Sequence, residues 1–228
     1  MIRFNLYLIN VPENFIDFRK KLILTNSVLS DVNFVKVIDT SDPISLEATF
    51  YNKIKIIENV LDEAGNTNKI EYFKYNLYNF FTIHKNNKTY LMVINQPKSI
   101  KPFISFLKNI IGLNFYIKEI KLNIEDFLAN SKAIELKVIK AKFTSVSLGS
   151  TANAIIEVSS TDNAIKDFDK FNQNRYRELV KTKIRLTHKS EDIEFEISKN
   201  GCFSFSLSND RKYLSIDFIM NKFISNLN

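Results

Sequence analysis

Three segments, LEATFYNKIKIIENVL (residues 46–61), KIEYFKYNLYNFFTIH (69–84) and TYLMVIN (89–95), place apolar and polar side chains in alternation. That period of two belongs to a β-strand and not to a helix. Between them stand Asp62-Glu63-Ala64-Gly65-Asn66 and Asn86-Asn87-Lys88, both rich in residues that turns require. The segments therefore read as an antiparallel meander, and the flanking sequence is interpreted around it.

Upstream, Ile2, Phe4, Leu6 and Leu8 alternate as a strand, Pro12 opens a helix carrying Phe15, Phe18 and Leu22, and Phe34, Val35 and Val37 form another strand before the turn cluster at 39–43. Downstream, a helix is expected over 99–111. Ile100, Phe103, Ile104, Leu107 and Ile111 make its apolar face, Ser99 can cap it, Pro102 lies in its first turn and Gly112 ends it. Lys98, Lys101, Ser105 and Lys108 lie opposite. Residues 115–122 read as a strand and 123–132 as the boundary between two halves. The second half reads as strands at 134–148 and 154–159, then a helix capped by Asp162 with Ile165, Phe168, Phe171 and Leu179, then strands at 183–187, 193–198, 202–208 and 214–219. Asn200-Gly201 is the strongest hairpin signal. The expected class is α+β, mostly antiparallel sheets with a few helices on one side, in two subdomains, 1–125 and 131–228.

With 228 residues and 45% hydrophobic content, the chain can bury a large core or two small ones. No run approaches the roughly 20 apolar residues needed to cross a bilayer, and the start of the sequence lacks the apolar run of a signal peptide. A single cysteine, Cys202, leaves no intrachain disulfide, so a cytoplasmic setting without a membrane is expected. Lone cysteines in strands are usually small core residues.

The net charge is +7. Only six of the 32 basic residues are arginine, and the Asn, Ile, Lys and Phe richness is that of AT-rich coding DNA, such as a microbe's or its mobile elements'. The placement of the charge is more informative. Residues 69–142 hold 13 lysines against five acids, and the rest is near neutral. The start of this basic stretch is also the densest aromatic run. On an uninterrupted strand, Phe73, Tyr75, Leu77, Phe81 and Ile83 face one way as core. Tyr72, Lys74, Asn76, Tyr78, Phe80, Thr82 and His84 face the other, a mixture suited to stacking single-stranded bases. The plainer alternative is a sheet face packed under a helix. Lys98, Lys101 and Lys108 on the helix, and Lys140 and Lys142 on one face of the following strand, extend the basic set toward phosphates.

Two further groupings carry chemistry. Asp126, Glu135 and Lys137 have the spacing of a Mg²⁺-dependent nuclease, although Glu119-Ile120-Lys121 repeats the triplet nearby and weakens it. Arg175, Arg177 and Arg185, with His188, gather half the arginines into eleven residues. That suggests bidentate contact to an anion or an acidic partner, or ion pairing to Asp167, Asp169 or Glu178. With two histidines, His84 and His188, and no cysteine cluster, neither a metal site nor a cofactor is expected. The expectation is a non-enzymatic protein that binds single-stranded DNA or RNA, or associates with it; the alternatives are a protein-interaction or assembly subunit and a Mg²⁺-dependent nuclease.

Overall fold

Seventeen consecutive residue pairs, Ser45↔Ile83 through Leu61↔Thr67, join the first two meander strands without a register break. In the computed structural model, residues 1–11, 14–25, 33–39, 41–112, 114–130, 136–148, 151–173, 175–188, 191–206, 212–219, 223 and 224 are described, the side chains of 187, 188, 191, 212 and 214 apart. The elements are β1 (Ile2–Asn10), α1 (Phe15–Thr25), β2 (Asn33–Asp39), β3 (Ser45–Leu61), β4 (Thr67–Lys85), β5 (Lys88–Ile94), α2 (Lys101–Ile111), β6 (Tyr116–Glu119), α3 (Ile124–Asn130), β7 (Leu136–Ser147), β8 (Asn153–Ser159), α4 (Ala164–Asn172), β9 (Glu178–His188), β10 (Glu191–Ser198), β11 (Cys202–Phe205) and α5 (Lys212–Phe218). Antiparallel pairing with interspersed helices makes this an α+β protein. The chain falls into two compact units, Leu8–Lys118 and Met1–Tyr7 with Glu119–Asn228, passing from one to the other within β1 and again within β6.

In the 8–118 unit the antiparallel order is β2-β3-β4-β5. Helix α2 lays Phe103 against Phe80 (ring centroids 4.8 Å apart) and Phe50 (5.3 Å), and Phe106 stands 4.4 Å from Phe50. Each such ring removes enough apolar area from water to contribute about 1.5–3 kcal/mol. The N-cap of α2 is Ile100; Ser99 serves beside it, its Oγ accepting from the Lys101 amide at 3.3 Å. Asn14 plays the corresponding part for α1, accepting from the Asp17 amide at 2.9 Å, and Phe15, Phe18 and Leu22 form the buried stripe. The expected opening at Pro12 lies outside the described residues.

The face assignment on β4 is corrected here. Tyr78 and Phe80 are 1% and 0% exposed: they are the rings that α2 covers, and the Tyr78 hydroxyl donates to the Ser99 carbonyl at 2.9 Å. Burial pushes that phenol's pKa up. Neither can be a platform for bases. Phe81 and Ile83, on the other face, are buried as well, so β4 is buried on both sides over 80–83 and largely exposed on both sides before Tyr78. Alternation alone could not distinguish the faces, because both carry rings.

The 119–228 unit has the order β1-β11-β10-β9-β7-β8. Its inner face is aromatic: Phe195 stacks on Phe205 at 5.2 Å, Phe218 of α5 stands 5.0 Å from Phe195, and Phe168 of α4 stacks on Phe143 at 4.2 Å. At the β10–β11 hairpin Gly201 has φ +77, and a Cβ there would meet the Leu6 carbonyl oxygen at 3.0 Å, so both backbone angle and space call for glycine. Three expectations change. Helix α4 is capped by Asn163, which accepts from the Ile165 and Lys166 amides, and it ends at Asn172 with Gln173 left-handed, so Leu179 belongs to β9 and Phe171 is exposed. Residues 123–132 include helix α3. Residues 214–219 include most of helix α5: Leu214, Ile216 and Phe218 mimic strand spacing over a short run, but burial at Ser215, Ile216, Phe218 and Ile219 is helical.

Phe80→Ala is expected to cost about 3–5 kcal/mol, comparable to Phe81→Ala, as a core truncation. Phe73→Ala, at a position 58% exposed, should stay within about 0.5 kcal/mol. Urea denaturation of the three variants checks this, and a mild Phe80→Ala would contradict the packing.

Candidate functional site

The lower half of the β3–β4 pairing is flanked by other strands and the upper half is not. Pairing with β2 ends at Asn33↔Asn52, and pairing with β5 ends at Asn79↔Ile94. Among the described residues, 53–61 and 67–75 therefore have strand pairing only with one another, a two-stranded ribbon roughly 30 Å long. Isolated ribbons are marginal, and cross-strand side chains hold this one. On one face the Lys53 ammonium sits 4.3 Å from the Phe73 ring centre, and Lys55 pairs with Glu71 at 2.7 Å; on the other the Tyr72 hydroxyl donates to Glu58 at 2.7 Å. These contacts are diagonals of opposite register sense on the two faces, as a uniformly twisted ribbon requires. At the tip the Asp62 carboxylate accepts from the Ala64 and Asn66 amides. The hydrogen bond from the Asn66 amide is the main reason its pKa is lowered.

Both ribbon faces carry exposed large apolar groups, among them Ile57, Leu61, Ile70, Tyr72, Phe73, Tyr75 and Leu77. Over 53–77 four lysines are matched by four acids. Tyr72 and Lys74 lie on this ribbon, apart from Tyr78 and Phe80 beneath α2. His84 is at the other end of β4, stacked on Phe15 at 5.4 Å with Nδ1 3.0 Å from the Thr89 hydroxyl. It borders a cleft of about 330 Å³ also lined by Asn10, Asn14, Lys88 and Tyr116. Lys98, Lys101 and Lys108 are exposed beside and along α2, in the expected stripe.

A second surface lies in the 119–228 unit, on the face of β7, β9 and β10 opposite the helices. Lys140 and Lys142 are there, as the period of two implies, and Arg185 joins them. Sequence reasoning missed Lys181 and Lys183 as members of this face, and Lys137 lies on it too. The register sets Lys137 opposite Arg185, Lys140 opposite Lys183 and Lys142 opposite Lys181. Glutamates border these cations: Lys140 pairs with Glu157 (2.6 Å), Lys181 with Glu196 (2.5 Å), and Lys183 and Arg185 share Glu194 (2.6 Å each). Hydrogen bonds from Lys140 and from Lys183 with Arg185 hold the Glu157 and Glu194 carboxyls below the usual range. The signal that could have found this surface was the pairing of Lys181-x-Lys183-x-Arg185 with Glu194-x-Glu196 across one hairpin.

The arginines do not form one cluster. Arg177 donates through Nε and Nη2 to both Asp169 oxygens (2.6 and 2.9 Å) and through Nη1 to Glu125 (2.5 Å), with its guanidinium 5.0 Å from the Phe143 ring centre. The Asp169 hydrogen bonds, chiefly, raise its pKa. Three of the five N–H donors of the fork are spent in tying α3 and α4 to the residue that precedes β9. Arg185 pairs with Glu194, and Arg175 is exposed. The His188 side chain lies outside the described residues, as does Glu135 of the nuclease set; Asp126 accepts from the Asn123 amide group at 2.6 Å. Among the described residues no group of three or more His, Cys, Asp and Glu side chains is placed to hold a metal ion. Cys202 is half-buried, and burial raises its thiol pKa. No helix among the described residues is long and apolar enough to cross a membrane. No protein-family model matches the chain, and no curated protein matches its sequence.

Arg177→Lys keeps the charge and loses the fork; it should cost about 1.5–3 kcal/mol, the scale of hydrogen bonds to charged groups, while Arg175→Lys stays within about 0.5 kcal/mol. Equal melting curves would remove Arg177 from this structural role. Glu157, Glu178 and Glu194 all have lowered pKa values, Glu178 through its hydrogen bond from Lys199. Their stabilisation is complete above the unfolded carboxylate pKa of about 4.3 and disappears as pH falls through the lower folded values. Denaturation midpoints should drop over that acid limb, and Glu194→Gln should flatten it. A limb unchanged by Glu194→Gln would contradict the pairing.

Proposed function

We propose that this chain is an interaction or assembly subunit that engages a partner protein through the β3–β4 ribbon. One observation carries the reading: residues 53–77 expose large apolar side chains on both faces, over a segment of balanced charge, beyond the edge of their own sheet. Soluble proteins rarely leave apolar patches of more than a few hundred Å² to water, and those that do commonly use them for contact. A ribbon edge that no described strand occupies can also accept a strand from a partner. Its neutrality favours a protein over a polyanion, because a nucleic-acid arm needs surplus cations and the tip here carries Asp62 and Glu63.

A photocrosslinking residue in place of Phe73 should, in the cells that make the protein, link to a defined partner, and one in place of exposed Lys166 should not. The adduct should disappear when Ile57→Ser and Ile70→Ser, both at exposed positions, are combined, with the urea midpoint nearly unchanged. If position 73 links to nothing beyond what position 166 does, the ribbon is not the working surface.

A further inference from the structure

The solvent face of β7 and β9 sets like charges opposite one another. Three successive cross-strand pairs on it, Lys137↔Arg185, Lys140↔Lys183 and Lys142↔Lys181, are cation opposite cation. Like charges directly opposite on neighbouring strands destabilise a sheet, and a face that needs only to be wet could carry Ser, Thr or Gln. Glu157, Glu194 and Glu196 border them, with Asp192 on the same face of β10, so six cations face four acids. We infer that this face binds the sugar-phosphate backbone of nucleic acid, the multivalent anion that converts the repulsion into binding.

The dimensions agree with that ligand. On β9, Lys181, Lys183 and Arg185 are two apart and repeat about every 6.6 Å, close to the separation of successive phosphates along one strand; on β7 a bulge between Val138 and Lys140 makes the step from Lys137 to Lys140 three residues. Two adjacent rows, three cations long, fit a run of about three phosphates. No aromatic side chain is among the residues of these rows, so bases have nothing there to stack on and no edge reader is in place. The contact is therefore with phosphate, without sequence preference, through one strand of a duplex or through a single strand. Because β7 and β9 lie inside the sheet order, an acidic peptide cannot add to them as a strand and would offer only its charges.

The test is fluorescence anisotropy of the full chain with a labelled duplex and with a labelled single strand, over a salt series, against poly-glutamate of matched length. Binding should weaken with salt at a log–log slope near −3, roughly one unit per phosphate. Lys137→Gln with Lys142→Gln should reduce affinity at least tenfold while leaving the low-salt melting temperature unchanged or higher, because each removes a like-charge pair. Glu157→Gln with Glu196→Gln should increase affinity several-fold, a gain that misfolding cannot produce. Lys98→Gln with Lys101→Gln and Lys108→Gln should leave it within twofold. The inference is overturned if neither nucleic acid binds at low salt, if the α2 substitutions abolish binding, if the glutamate substitutions change nothing, or if poly-glutamate binds as tightly. The last outcome would point to an acidic protein.

Discussion

The uninterrupted pairing of β3 with β4 is the constraint on which most of the 8–118 unit depends. Seventeen pairs in one register form a stiff spine; β2 and β5 attach only to its lower part, and α2 covers only the rings at Phe50, Tyr78 and Phe80. A single slip would turn every one of those rings to the opposite face. The same register that anchors the core lifts the remaining residues clear of it. Stability and exposure thus arise from one interaction: the buried half supplies the free energy that allows the projecting half to keep apolar groups in water.

Charge is organised by strand pairing more than by position along the chain. The lysine-rich stretch at 69–142 is continuous in sequence, yet its members are divided between the two units: Lys98, Lys101 and Lys108 accompany α2, and Lys137, Lys140 and Lys142 lie on β7. The strongest concentration arises because β9, some forty residues downstream of β7, brings Lys181, Lys183 and Arg185 into line with it. The ribbon, at the start of the same basic stretch, is neutral. One surface is therefore governed by burial of apolar area, which salt hardly weakens, and the other by Coulomb attraction, which salt screens.

Much of this fold was legible in the sequence. Alternation located the meander strands, and Asp62-Glu63-Ala64-Gly65-Asn66, Asn86-Asn87 and Asn200-Gly201 marked the turns, because those residues adopt conformations that others avoid. The apolar face of α2 was equally plain. What failed has a common cause, dependence on contacts distant in sequence. A period of two says that Tyr78 and Phe81 face opposite ways, but not that β4 is buried on both sides at one end and on neither at the other. The Leu214, Ile216 and Phe218 spacing suits a strand until the packing of Phe218 on Phe195 and Phe205 decides for a helix. Arginine scarcity drew attention to Arg177, and the ion-pairing alternative to Asp169 proved to be its use. The cation ladder needed a register between strands that no local pattern encodes.

The division of the chain has a consequence for its biosynthesis. Leu8–Lys118 is continuous, so every strand of its β2-β3-β4-β5 sheet has left the ribosome well before translation ends, and it can fold early. The other unit cannot close early. Its β1 residues Ile2 to Asn5 pair with Cys202 to Phe205, partners separated by nearly the whole chain. Until that late strand is made, Ile2 to Asn5 lack their β11 partners, and closure must bear the entropy of a loop containing an already folded body in place of a free coil. The order of synthesis, working through one strand shared between early and late sequence, makes Ile2 to Asn5 wait for partners some two hundred residues later.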